Sequence, residues 1–149
     1  MSIFVNKFEI TEAEVGQEMQ HHPAETQEQA WRMAAQSLVV RQLLLQQAVA
    51  GGLFEGDHAK IDPTQEEAVI DQLLEKEVTV PEADEETCER FYNTHPNSFV
   101  NEETGLRLTL DQAQVHIRDY LHTKAMRMAV AEYIKALSYS ADINGFELT

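Results

Sequence analysis

Two stretches of helical apolar spacing, residues 26–50 and 110–139, constrain this chain more than any other feature. In the first, Trp31, Ala34, Leu38, Leu45 and Ala48 recur at steps of three, four or seven. Val39, Val40, Leu43 and Leu44 widen the stripe, so this helix is expected to be covered on more than one side. In the second, Leu110, Ala113, Ile117, Tyr120, Leu121, Met128, Ala131, Ile134 and Leu137 hold helical spacing over several turns. Two long amphipathic helices must bury their stripes against other elements, and few aromatics (7%) favour helix-on-helix packing.

Shorter elements fill the remainder. Thr11 is an expected N-cap for a helix over residues 12–20, which His21-His22-Pro23 ends. Gly51-Gly52 stops the long helix. Asp62 is expected to cap the next helix, with Pro63 at its first position and Val69, Ile70, Leu73 and Leu74 as its face. A further amphipathic helix is expected over residues 82–95, carrying Cys88, Phe91 and Tyr92 on one side. Residues 100–107 read as a turn-rich connector containing Gly105.

Both chain ends carry strand signals. IFVNKFEI (3–10) alternates around Asn6-Lys7, and ADINGFEL (141–148) alternates around Asn144-Gly145. They predict short β-hairpins at both termini that pair in one small sheet. The fold expected is mainly α, one helical domain over residues 1–149. It comprises N-terminal helices over 11–99, the connector 100–107, a C-terminal helix over 108–140 and a terminal hairpin over 141–149.

Charge limits the function classes. Eleven Lys and Arg face 26 Asp and Glu, a formal net charge of −15. Nucleic-acid affinity rests on basic side chains that neutralise phosphates, so neither nucleic acid nor an anionic membrane is an expected partner. The acids are spread along the chain, which reads as solubility, as repulsion of wrong partners or as attraction of basic segments. One cysteine, Cys88, precludes an intrachain disulfide and fits a reducing compartment. With no secretory signal and no apolar run of membrane length, a cytoplasmic location is expected.

No catalytic pattern stands out. His21 and His22 are adjacent, about 100° apart on a helix, a poor chelating geometry, and no CxxC or HExxH is present. Cys88 and His95 are seven residues apart, about 10 Å along a helix, too far to act as a nucleophile and its base. Glu82, Asp84, Glu85, Glu86 and Glu89 load one helix start, where acids are favoured. No cofactor is expected. The flexible and aromatic side chains Trp31, Leu38, Phe91, Tyr92, Met126, Met128 and Tyr133 are the candidates either for an apolar client groove or for the core.

Three segments, residues 20–48, 66–99 and 108–137, resemble the helical parts of SurA-like, parvulin-type prolyl isomerases. Their most specific part is VTVPEADEETCERFY followed by HPNSF, similar to the cytoplasmic branch that includes the nitrogen-fixation accessory isomerase. In that family such a segment leads into the parvulin domain, and the final helix follows it. Here eight residues, 100–107, separate Phe99 from the final helix, too few for a domain. The resemblance therefore implies an ATP-independent polypeptide-binding module without the catalytic domain, whose termini meet and whose partners are unfolded or partly folded polypeptides. Two other readings stand beside it: a residual prolyl isomerase, and an assembly protein that dimerises by exchanging its last helix.

Overall fold

Caps written in the sequence set most helix starts in the computed structural model, which describes residues 2–148. Among them, five α-helices occur: α1 (Glu12–Glu18), α2 (Gln27–Ala50), α3 (Glu66–Glu77), α4 (Glu85–Thr94) and α5 (Leu110–Ser140). Thr11 and Glu14 form a reciprocal capping box on α1. The Thr26 hydroxyl accepts from Gln29 N–H at 3.1 Å, and the Asp84 carboxylate accepts from Thr87 N–H at 2.8 Å. Thr109 and Gln112 cap α5 in the same reciprocal way.

One expected start moves. Asp62 bonds the backbone N–H and hydroxyl of Thr64 at 2.9 and 2.8 Å, closing a local turn over Pro63. The helix begins only at Glu66. A short aspartate that satisfies its neighbour two residues on competes with the cap it was expected to make. The first helix is likewise shorter than residues 12–20, because Met19–His21 tighten into a 3₁₀ turn.

Both chain ends enter one antiparallel sheet of order β2-β1-β3, with β1 at Ile3–Val5, β2 at Phe8–Ile10 and β3 at Ile143–Asn144. Asn6 and Lys7 take positive φ, 49° and 70°, the backbone a two-residue hairpin needs. The C-terminal end adds a single two-residue strand to this sheet, with Val5 opposite Ile143. Gly145 (φ 87°) lies so close to β1 that a Cβ there would stand 2.8 Å from the Ser2 carbonyl oxygen.

The chain divides into two compact units. The first holds the residues up to Glu77 and those from Ala131 on; the second is Val78–Val130. In the first, Ile3, Val5 and Ile10 point to one face of the sheet and bury against Ala34, Ala35, Val39 and Leu43 of α2. Small alanines at that contact let strand and helix approach closely. A polar clasp holds the hairpin turn: Asn6 N–H donates to the Asp142 carbonyl at 2.7 Å, and Asp142 N–H to the Asn6 side chain at 2.9 Å. Gln46 donates to the Val5 carbonyl and accepts from Asn6. A second cluster joins Leu44 and Ala48 of α2 to Leu73 of α3, with Tyr133, Ile134 and Leu137 of α5 packed on it.

In the second unit Cys88, Ala113 and Ile117 form a small core edged by Phe91, Tyr92, Phe99, Leu108 and Leu121. The expected connector is a tight antiparallel turn. Val100 bridges Arg107, Leu108 N–H donates to the Phe99 carbonyl at 2.7 Å, and Gly105 takes φ 69°. The Arg107 guanidinium lies 3.7 Å over the Tyr92 ring and donates to the carbonyls of Tyr92, His95 and Ser98.

Candidate functional site

The outward face of α2 is where the first unit opens. Gln29, Arg32, Met33, Gln36, Ser37 and Val40 recur at helical steps and, with His22 at one end, line a hollow of about 640 Å³. Gln36 and Val40 also belong to a second hollow of about 410 Å³, completed by α5 residues around Ile134, Ser138 and Tyr139 and by Leu148. The two hollows adjoin along Gln36 and Val40 within the first unit and are taken together as one groove. Met33 is 47% exposed and Tyr139 77%, so each hollow has a large apolar side chain open to solvent.

The groove combines two chemistries. Met33, Val40, Ile134, Tyr139 and Leu148 supply an apolar floor. Gln29, Gln36 and Ser37 supply amides and a hydroxyl, Ser138 donates its hydroxyl to the Lys135 carbonyl at 2.6 Å, and Arg32, Glu132 and Lys135 add charge. Gln29 to Val40 spans about 17 Å at about 1.5 Å per residue, the length of about five residues of extended chain.

The seven residues proposed from the sequence do not gather in this groove. Trp31 packs on the sheet core with its ring 6.0 Å from Phe146, and Leu38 lies against the same cluster. Tyr133 packs on the α2–α3 cluster. Burial, and then the negative charge of Glu77, push its phenol above the usual tyrosine range. Phe91 and Tyr92 belong to the core of the second unit, where the Tyr92 hydroxyl donates to the Leu108 carbonyl at 2.6 Å. Met126 is partly buried and Met128 is 63% exposed. The groove residues escaped sequence reasoning because Val40 and Ile134 lie within wide apolar stripes. Periodicity does not say which edge of such a stripe stays uncovered. Met33 carried the one available signal, a flexible apolar side chain flanked by Arg32 on a surface turn of α2.

Three of the candidate reactive groups, Cys88, His95 and His22, are engaged or enclosed, while His21 is exposed. Cys88 is fully buried as a free thiol. The His95 ring stacks on Phe91 at 3.9 Å, with Nδ1 2.7 Å from the Phe91 carbonyl oxygen. His22 Nε2 lies 3.1 Å from the Glu18 carboxylate. Hydrogen bonds from the Thr87 side chain and backbone hold the Asp84 carboxyl below the usual range, as befits a cap. Among the described residues no group of three or more His, Cys, Asp or Glu is placed to hold a metal ion. No helix among the described residues is long and apolar enough to cross a membrane.

No family model, no curated protein and no solved structure matches this chain.

Proposed function

We propose that this chain is a polypeptide-holding module of the SurA-like kind, working without ATP and without bond-making chemistry. The observation that carries this reading is the open groove on α2, apolar on its floor and edged by glutamine and serine side chains. Extended polypeptide suits such a surface: side chains meet the apolar floor while backbone N–H and C=O groups meet the amides and hydroxyls. The net charge of −15 keeps a loaded complex soluble and turns nucleic acid and anionic membranes away. The resemblance of residues 20–48, 66–99 and 108–137 to the helical parts of parvulin-type isomerases supports the same reading. By that resemblance, the turn joining Phe99 to Leu108 would take the position of the catalytic domain of such an isomerase. The buried free thiol of Cys88 suits a reducing compartment, and the cytoplasm is the location proposed.

Suppression of aggregation tests this reading. A chemically unfolded model protein diluted into buffer should scatter less light when the chain is present at near-stoichiometric amounts. Met33→Asp and Tyr139→Asp should each weaken that protection several-fold, whereas Val115→Asp, on an exposed position of the second unit, should leave it unchanged. Protection that survives 0.5 M salt places the binding in apolar contacts, since exposed charges are screened at that ionic strength. No protection at any ratio removes the holding function.

A further inference from the structure

A second groove opens on a different face of α2. Leu38 and Val40 are two residues apart, about 200° around the helix, so the hollow that Leu38 lines is separate from the one described above. It lies among α1, α2 and α3, holds about 650 Å³, and has Leu38, Ile70 and Pro63 as its apolar part. Its polar lining is one-sided. Glu14 and Glu18 of α1 and Glu66 and Glu67 of α3 stand around it, with Arg41 as the one guanidinium.

We propose that this groove docks cationic amphipathic segments of other polypeptides, in which Lys or Arg alternates with aliphatic residues. The aliphatic side chains of such a segment would cover Leu38, Ile70 and Pro63, and its cations would face the carboxylates. Four carboxylates against the Arg41 guanidinium and the His21 imidazole leave an excess of negative charge within the lining. Arg41 reaches Glu66 only at 3.9 Å, and Glu18 is shared with His22. A second copy of this chain would bring another −15 against the same face, so charge disfavours self-association there. Apolar floor and acidic rim together set the occupant: acids alone would hold only a diffuse counterion cloud, and an apolar floor alone would not discriminate. This inference does not depend on the holding function assigned to the other groove.

Fluorescence anisotropy with three labelled twelve-residue peptides tests it: alternating Lys/Leu, alternating Glu/Leu and alternating Lys/Ser. The Lys/Leu peptide should bind best by about tenfold or more, and its affinity should fall as salt rises. The double substitution Glu66→Lys with Glu67→Lys should lower that affinity about tenfold, with helix content checked by circular dichroism. Glu67→Gln, which removes one exposed charge without reversing it, should lower it about threefold. Val115→Asp, exposed and in neither groove, should leave Lys/Leu binding unchanged, and the double variant should still suppress aggregation, which separates failure here from failure of the holding function. Equal binding of Glu/Leu would reduce the site to an apolar patch, and equal binding of Lys/Ser would reduce it to diffuse charge. Either result overturns the proposal, as does a double variant that binds like the parent. A dimer in sedimentation of the chain alone, persisting when Lys/Leu peptide is added, would put a second copy in the groove and overturn it as well.

Discussion

In the first unit, thirteen buried apolar residues form the interior among the described residues, from Ile3 and Val5 in the sheet to Leu45 and Ala48 in α2. In the second, only Val78, Cys88, Ala113 and Ile117 reach the same burial. The smaller unit relies instead on a polar arrangement around one side chain. Arg107 lies over Tyr92 and donates to carbonyl groups at and beyond the end of α4, while the Tyr92 hydroxyl donates to Leu108. The difference follows from size. Burial grows faster than surface, so a short segment that cannot enclose many methyl groups gains more from charged hydrogen bonds to helix-end carbonyls. Phe99 shows the same pressure, accepting a φ of 64° while its ring packs 6.1 Å from Phe91 and 6.2 Å from Tyr92.

Truncating the smaller interior should separate the units most sharply. Ile117→Ala is expected to cost about 3 kcal/mol, within the usual range for deleting a fully buried branched side chain. Native-state hydrogen exchange should then rise across Val78–Val130 and stay low for the α2 amides beside Val39 and Leu43. Uniform loss of protection through both units would erase the distinction.

Arg107→Ala comes next, at about 2 kcal/mol, because it frees helix-end carbonyls and uncovers the Tyr92 ring. Arg107→Lys should not restore it, since one ammonium cannot reproduce a planar fork that stacks and donates to several carbonyls. Exchange at α4 amides is the readout, and full rescue by lysine would mean that charge alone matters.

The smallest expected effect lies in the first unit. The Tyr133 hydroxyl is shielded from solvent with no hydrogen-bond partner among the described residues, so Tyr133→Phe should change stability by less than about 1 kcal/mol near neutral pH. At alkaline pH the sign is fixed. The phenol is raised in the folded state, so its contribution is complete below pH 10 and is lost as pH climbs through the folded value. Denaturant titrations at pH 8 and above pH 10 should therefore show the parent losing more stability than Tyr133→Phe.

Helices were legible wherever a cap and a periodic stripe coincided, as at Thr26 before Trp31 and Ala34 and at Asp84 before Cys88. Asp62-Pro63 misled because an aspartate can serve a helix or its own turn, and which one wins depends on Thr64 two residues on. The meeting of the two ends was legible from the matching alternation of residues 3–10 and 141–148. The detail was not. Asn144-Gly145 carries the stronger hairpin signal, yet Gly145 is used to bring the backbone against Ser2, a distant contact that no local pattern encodes. Asn6-Lys7 makes the hairpin because Gln46 and Asp142 hold it there. The grooves were invisible for a related reason: which edge of the α2 stripe remains open is decided by α3 and by the last turns of α5.

Strand β1 has one partner almost at once and the other only much later in synthesis, since Val5 pairs with Phe8 and with Ile143, 138 residues later. At about 5–20 residues per second, a ribosome needs on the order of ten seconds or more to deliver β3. Throughout that interval the β1 edge presents unpaired backbone groups beside an unfinished interior, the kind of edge that recruits neighbouring nascent chains. A chain built this way spends that interval with the same exposed edge that a holding protein would cover.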